Sequence, residues 1–423
     1  MSAVSQDRTP HNVADAEWFR QPRMRAVFAA LNRDGHEARI VGGALRNTLM
    51  GLPVGDIDFA TTALPDEIIR LAGEAGLKPI PTGIDHGTIT VVSDHVPFEV
   101  TTLRLDVETH GRRATVAFTR DWREDAARRD FTINALYAGC DGTVFDPLGG
   151  LPDLKARHVR FIGSARERIA EDYLRIMRFF RFTAEYSSTP PDAEGLAACI
   201  RERAGLGRLS AERVRGELLR ILMTRDPMRA IEPMSETGLL ISLLGGVARV
   251  SHFERLADIE ARLGIAGNAI RRLCALGVLS EDDAARLSTK LRLSNAESAR
   301  LKAMAALRPV IGPEMSEKTA RAVLYGLGAD VWRDRVLIAW ARSEATLRTD
   351  ERAEDGWPEL YALPQRWSTP VFPVKGQDLI ACGMAPGARL GQTLEALEDR
   401  WIASDFTLSR EELLSGLGPY APS

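Results

Sequence analysis

Apolar and polar residues alternate along this chain with two different periods, and the change from one to the other divides it. Residues 23–34 (RMRAVFAALNRD) place apolar positions at helical spacing and stop at Gly35. ARIVG (38–42) reads as a short strand, ALRNTLM (44–50) as a short helix ended by Gly51, and DIDFAT (56–61) as a second strand. LPDEIIRLAGEAG opens a helix with Pro65 in the first turn, followed by Asp66 and Glu67. GTITVVS (87–93) and VPFEVTTLR (96–104) alternate at period two around a short polar turn, the pattern of a β-hairpin. Residues 105–120 (LDVETHGRRATVAFTR) are polar and carry Gly111, which predicts a mobile loop.

Beyond residue 163 the period becomes 3.6 and stays so. SARERIAEDYLRIMRFFRFTAEY predicts one helix, with Ile169, Tyr173, Ile176 and Phe180 on its apolar face and Ser164 and Glu167 as a capping box. LSAERVRGELLRILM (209–223) repeats the device with Ser210, and SSTPPDAEG (187–195) links the two helices. From residue 227 onward only helical patterns recur. LYALPQRWSTPVFPVKG (360–376) is Pro-rich and predicts a joining segment. The pattern as a whole predicts a small α+β domain followed by a helical remainder.

The chain's 423 residues suffice for several cores, and 45% hydrophobic with 27% charged residues is ordinary globular composition. Net charge is −3, but Lys155 to Arg220 carry 14 Lys and Arg against 9 Asp and Glu. A basic stretch in an acidic chain suits a polyanionic partner. Cys140, Cys199, Cys274 and Cys382 form no CxxC pair and read as free thiols of a reducing compartment. MSAVSQDRTPHNVADAEW is too polar for a signal peptide, and no apolar run is long enough to span a membrane. The expectation is a cytoplasmic protein.

The stretch VGGALRNTLMGLPVGDIDFATT (41–62) carries the chemistry. On a strand, Asp56 and Asp58 at i and i+2 point to one side, and two repelling carboxylates invite a hard cation such as Mg²⁺. Gly42 and Gly43 allow a close backbone turn whose amides can meet an anion, and Arg46 lies one helical turn further. These parts together suggest a nucleoside triphosphate bound with metal at a sheet edge. Glu99, in FEVTT, has the right period for a third carboxylate.

This stretch, with HGTITVV, FEVTTLR, DWREDAARRDFTINALY, DPLGGLPDL and EDYLRIMRFFRF in that order, resembles the class II tRNA nucleotidyltransferases, the CCA-adding enzymes, a branch that also holds bacterial poly(A) polymerases. The resemblance implies a polymerase-β-like nucleotidyltransferase head with a small mixed sheet (20–155), then an all-α neck bearing the nucleobase template (156–225), a body (226–360) and a tRNA-facing tail (361–423). It implies that Asp56 and Asp58 hold Mg²⁺, that Gly43 and Arg46 meet the triphosphate, and that Arg129 binds the nucleotide. Asp130 and Asn134 would shape the pocket, Asp172 and Arg175 would choose the base, and Arg178 and Arg181 would lie near the nucleotide. The loop 105–120 would reposition between C and A addition. The implied partners are tRNA, CTP and ATP.

The base-choosing role can be argued from chemistry as well. Asp172, Arg175, Arg178 and Arg181 recur every third residue, which predicts a slowly turning stripe on one helix face. A carboxylate only accepts and a guanidinium only donates, so the pair matches the amine-donor and ring-nitrogen-acceptor edge shared by cytosine and adenine. Uracil and guanine present the opposite edge and are rejected. Where the family has Asp after the Arg of its GGxxR turn, this chain has Asn47. No adjacent His-Asp dyad occurs, so a fused metal-dependent phosphohydrolase domain is not expected. Three rival readings share these motifs: a poly(A) polymerase, an enzyme adding only CC or only A, and a non-catalytic RNA-binding protein.

Overall fold

A computed structural model describes residues 11–110, 113–343, 355–415 and 417. The stretch 1–10, part of the segment read above as no signal peptide, lies outside them, as do residues 418–423 of the expected tail. The chain forms two compact units, Met1–Leu239 and Leu240–Ser423.

The first unit opens with α1 (Pro22–Leu31), β1 (Ala38–Val41), α2 (Gly43–Leu49), β2 (Asp58–Thr61) and α3 (Pro65–Glu74). β3 (Lys78–Gly83), β4 (Thr88–Ser93) and β5 (Val96–Thr102) follow. After them come β6 (Arg104–His110), β7 (Arg113–Phe118), α4 (Trp122–Ala127), β8 (Tyr137–Ala138), β9 (Val144–Phe145) and α5 (Gly150–Lys155). Among the described residues, a seven-stranded sheet runs in the order β3-β4-β5-β2-β1-β8-β9. β2 runs parallel to β5, while its partner β1 and the outer pairs are antiparallel. The sheet is mixed, as the sequence predicts. The β4–β5 hairpin turns through Asp94 and His95, with φ of 49° and 60°, so that Ser93 pairs with Val96. Two consecutive positive φ angles give the primed turn whose twist matches the strands.

The expected loop 105–120 is a correction. β6 and β7 pair antiparallel as a separate ribbon, Arg104 opposite Phe118, with a register shift between Asp106 and Glu108. Residues 111 and 112 between them are outside the described ones. Leu105 and Val107 in β6 and Ala114, Val116 and Phe118 in β7 keep period two, a signal that the charged residues and Gly111 between them outweigh.

The single helix predicted over 164–186 is also corrected. α6 (Ala165–Glu171) ends at Asp172, whose backbone is extended at φ −151° and ψ 106°, and α7 (Leu174–Tyr186) begins anew. The Asp172 carboxylate accepts the Leu174 N–H at 3.1 Å, which caps the second helix. A capping Asp competes with helix continuation, which explains the break. α8 (Ala193–Glu202) occupies part of the expected linker, and α9 (Ala211–Leu222) and α10 (Met228–Glu236) complete the unit. Ser164 and Ser210 cap α6 and α9, as their spacing predicts.

α11 (Leu239–Leu244) falls at the division between the units. The second unit consists of α12 (Val250–Arg262), α13 (Ala269–Gly277), α14 (Glu281–Leu291), α15 (Asn295–Ala305), α16 (Glu317–Leu327), α17 (Ala329–Arg342), α18 (Trp357–Arg366), α19 (Gly376–Ala381), α20 (Ala388–Ala403) and α21 (Arg410–Ser415). α18 runs through Pro364 and takes up the first part of the expected Pro-rich joint. Buried Arg271 ties α12 to α17 by bonding Glu260 at 2.6 Å and Asp334 at 3.1 Å. Trp401 centres an apolar cluster with Val374, Leu379, Met384, Leu397 and Leu413. Among the described residues, no helix is long and apolar enough to cross a membrane. Cys140, Cys199, Cys274 and Cys382 are all free thiols.

Candidate active site

The sheet sets the acidic group. Phe59 of β2 packs against Phe28 of α1 and Phe98 of β5 on one face. Ala60 joins Val41, Leu103, Ala126 and Tyr137 on the other. Strand alternation puts the Asp58 side chain on the Ala60 face, toward the end of α4. Asp58 stands opposite Glu99 in the parallel register and opposite Val41 in the antiparallel one. Asp56 lies two residues ahead of the strand and is exposed, as is Glu99. Burial, then Glu99 and Asp56, push the Asp58 carboxyl up to about 6, while Arg129 opposes them. Two neighbouring carboxylates set against a partly buried Asp58 leave this corner of the site short of positive charge. Among the described residues no three His, Cys, Asp or Glu side chains close into a metal centre. Asp58, Asp56 and Glu99 offer only carboxylate oxygens, the donor type that suits a hard divalent ion.

A cleft of about 430 Å³ opens beside Asp58. Its wall includes Gly42, Gly43, Arg46, Arg129, Asp172, Arg175 and Arg178. Gly42 has φ +76°, a conformation that side chains rarely adopt, and the Arg129 Nη1 lies 4.0 Å from where its Cβ would be. Arg129 is aimed by Asp125, which is 1% exposed on its side chain and accepts Arg129 Nη2 at 3.0 Å, Arg128 Nη2 at 2.7 Å and the Tyr137 hydroxyl at 2.8 Å. Burial alone would raise the Asp125 carboxyl, but the two guanidinium groups and the tyrosine hold it down to about 2. Substitution of Asp125 by Ala strands two guanidinium groups, so we expect a loss of about 3–5 kcal/mol, read as a lowered urea midpoint of the first unit's unfolding.

A second network runs behind the cleft. Arg178 of α7 bonds Asp130 Oδ2 through Nε at 2.8 Å and Nη2 at 2.5 Å. Asp130 Oδ1 accepts the Asn134 amide at 3.0 Å, and Asn134 Oδ1 accepts Arg46 Nη1 at 2.5 Å. Arg46 also donates to the Tyr186 hydroxyl at 2.7 Å and to Asn47 Oδ1 at 2.9 and 3.1 Å. Phe131, Phe161, Phe179 and Phe182 pack together and press α7 against the 130–134 segment. Gly150 at the start of α5 must be glycine, because a Cβ there would stand 2.2 Å from the Thr132 carbonyl.

Known proteins supply the context for this geometry. Residues 38–160 match the Poly A polymerase head domain family, and residues 192–249 match the family described as the probable RNA and SrmB-binding site of polymerase A. The chain is 36% identical over 399 residues to CCA tRNA nucleotidyltransferase 1, mitochondrial, of Mus musculus, which spans 93% of this chain and 89% of that protein. It is 33% identical over 403 residues to the CCA-adding enzyme of Levilactobacillus brevis, over 93% of this chain and 96% of that protein. The chain belongs to the CCA-adding tRNA nucleotidyltransferase family. The crystal structure of Bacillus stearothermophilus CCA-adding enzyme in complex with CTP matches with a TM-score of 0.71 at 28% identity, over 91% of this chain and 94% of that one.

The residues that the family resemblance singles out are mostly gathered in one place. Gly42, Gly43, Arg46, Asp58, Arg129, Asp130, Asn134, Asp172, Arg175 and Arg178 line the cleft, with Asp56 and Glu99 beside Asp58. The continuous stripe is not formed. Asp172 sits in the break between helices, and Arg181 turns away to bond Glu217 of α9 at 2.5 Å. Arg46 is 6% exposed and its guanidinium is taken up by protein partners, so it acts as a framework cation more than as an open anion hook. Sequence reading missed Arg213, whose Nη2 bonds Asp172 at 2.6 Å, and Asp125, Arg128, Tyr137 and Tyr186. Asp125 stands one helical turn ahead of Arg128 and Arg129, and that spacing was the available signal. Arg213 belongs to α9 and had none.

Proposed function

We propose that this chain adds C, C and A to the 3′ end of tRNA, using CTP and ATP and releasing pyrophosphate. What supports it is one juxtaposition: the Asp58 carboxylate, beside Glu99 and Asp56, opens onto the same cleft as the Asp172 and Arg175 pair. The named relatives are CCA-adding enzymes across most of their length. Asp56, Asp58 and Glu99 would hold Mg²⁺, which supplies charge stabilisation to the attacking 3′-oxygen and the departing pyrophosphate. Gly42 lets the triphosphate approach the backbone, Arg129 meets its charge from the α4 side, and Arg46 adds a buried positive field. Asp172 and Arg175 read the base edge, with Asp172 held in the break between α6 and α7 by the Leu174 N–H and Arg213. Residues 20–155 act as head, 156–225 as neck, 226–360 as body and 361–423 as tail, with the basic neck facing RNA. A reducing compartment suits the four thiols.

The test gives purified protein a tRNA lacking its 3′ terminus, with each nucleoside triphosphate alone and with all four together. CTP alone should add two residues, CTP with ATP should add three and stop, and UTP and GTP should add none. Extension beyond three residues with ATP alone would make the chain a poly(A) polymerase. RNA binding without extension would make it a binding protein.

A further inference from the structure

The loop 51–57, which carries Asp56 and leads into Asp58, is tied at its start to the end of α2, where Gly51 N–H bonds the Thr48 carbonyl at 3.1 Å and Asn47 makes the remaining bonds. Asn47 accepts the Leu52 N–H on its backbone carbonyl at 2.8 Å and donates its side-chain amide to the Pro53 carbonyl at 2.7 Å. Its other side-chain atom, Oδ1, accepts both Arg46 bonds. The orientation of this amide is forced. A guanidinium only donates and a peptide carbonyl only accepts, so the oxygen must face Arg46 and the nitrogen must face Pro53.

We infer that Asn47 is a positioning residue that joins the base-reading helix to the metal-binding loop. Its side-chain bonds close an unbroken path from Arg178 on α7 through Asp130, Asn134 and Arg46 to Pro53. Four of the five linkages in that path are bonds of charged or buried groups, and the fifth is the Asn47 amide. An aspartate at this position keeps the Arg46 contact but sets a carboxylate against the Pro53 carbonyl, where a donor is required. The side chain that the family usually carries here would therefore loosen this chain's loop, and the Asp56 carboxylate with it. The identity of the ion rests on the nucleotidyltransferase reading; the tether does not.

The experiment compares full-length wild type, Asn47→Asp and Asn47→Ala by titrating Mn²⁺ in the presence of CTP and without tRNA, followed by electron paramagnetic resonance. Both variants should bind Mn²⁺ about tenfold more weakly, in the range seen when groups behind metal ligands are removed. With tRNA added, kcat should fall and KM for tRNA should hold. Titration well below each variant's melting transition keeps the comparison on folded protein. Wild-type Mn²⁺ affinity in Asn47→Asp, with loss only in Asn47→Ala, would overturn the inference, because the Arg46 contact alone would then suffice. If wild type fails to extend tRNA, the proposed function falls, while the Mn²⁺ ratio still decides the tether.

Discussion

Asp58→Asn is expected to reduce nucleotide addition by roughly three orders of magnitude or more, the scale on which metal-borne charge stabilisation of several kcal/mol acts. The same substitution should raise the protein's thermal stability in metal-free buffer at pH 8. In the folded chain, burial and the neighbouring carboxylates lift Asp58 from an ordinary 3.8 to about 6. Folding therefore favours the protonated form. Below about pH 4 the group is protonated folded or unfolded and costs nothing; as pH rises toward 6 the penalty grows, and above 6 it is complete. The rise corresponds to at most about 3 kcal/mol, and solvent screening of a part-exposed group reduces it to about 1–2 kcal/mol. Melting curves with EDTA should show the variant above wild type at pH 8 and level with it at pH 4. Excess Mg²⁺ with CTP should narrow the pH 8 gap by stabilising wild type alone. A variant that is less stable at pH 8 would mean that Asp58 is structural and that the acidic group does not serve a cation.

What the sequence could and could not show follows from how each element earns its stability. The β4–β5 hairpin was legible because Ile89, Val91, Phe98 and Val100 alternate into the core. The Asp58–Glu99 pairing was legible because both strands keep period two through the parallel register. β3 (KPIPTG) was hidden, since two prolines are tolerable only because it lies at the sheet edge. β8 and β9 are two residues each and exist through their partners, which no local pattern reports. The β6–β7 ribbon was obscured, because charged residues and Gly111 outweigh the period-two spacing of Leu105, Val107, Ala114 and Val116. At the site, order and spacing brought out most of the residues that touch the cleft, though not Arg128 or Arg213. The groups that aim them were harder to see, because Tyr137, Tyr186 and Arg213 meet their partners only through tertiary packing. The break at Asp172 was lost for a related reason: apolar spacing continues straight across it, and the capping role of an aspartate shows only when its carboxylate finds the Leu174 amide.

Asp172→Ala is expected to lower the ratio of kcat/KM for CTP over UTP by about 10²–10³, the equivalent of two mismatched polar groups at roughly 1.5–2 kcal/mol each. Asp172 Oδ1 accepts the Leu174 N–H and Oδ2 faces Arg213, so both oxygens are oriented as acceptors. An amine of cytosine or adenine can share it, whereas a carbonyl of uracil or guanine meets two lone pairs. Arg175 now bonds the Arg128 carbonyl at 3.0 Å, the Arg168 carbonyl at 2.9 Å and the Glu171 carboxylate, so it must give up one of these to read a base. Arg213→Ala separates the two jobs. It leaves the acceptor in place but frees it to swing, so CTP addition should slow by about tenfold, near the worth of one charged hydrogen bond, with most of the CTP preference kept. Single-turnover rates for each triphosphate on the same tRNA read both effects. Equal discrimination in wild type and Asp172→Ala would remove this carboxylate from base selection and leave the choice of nucleotide to the remaining donors of the cleft wall.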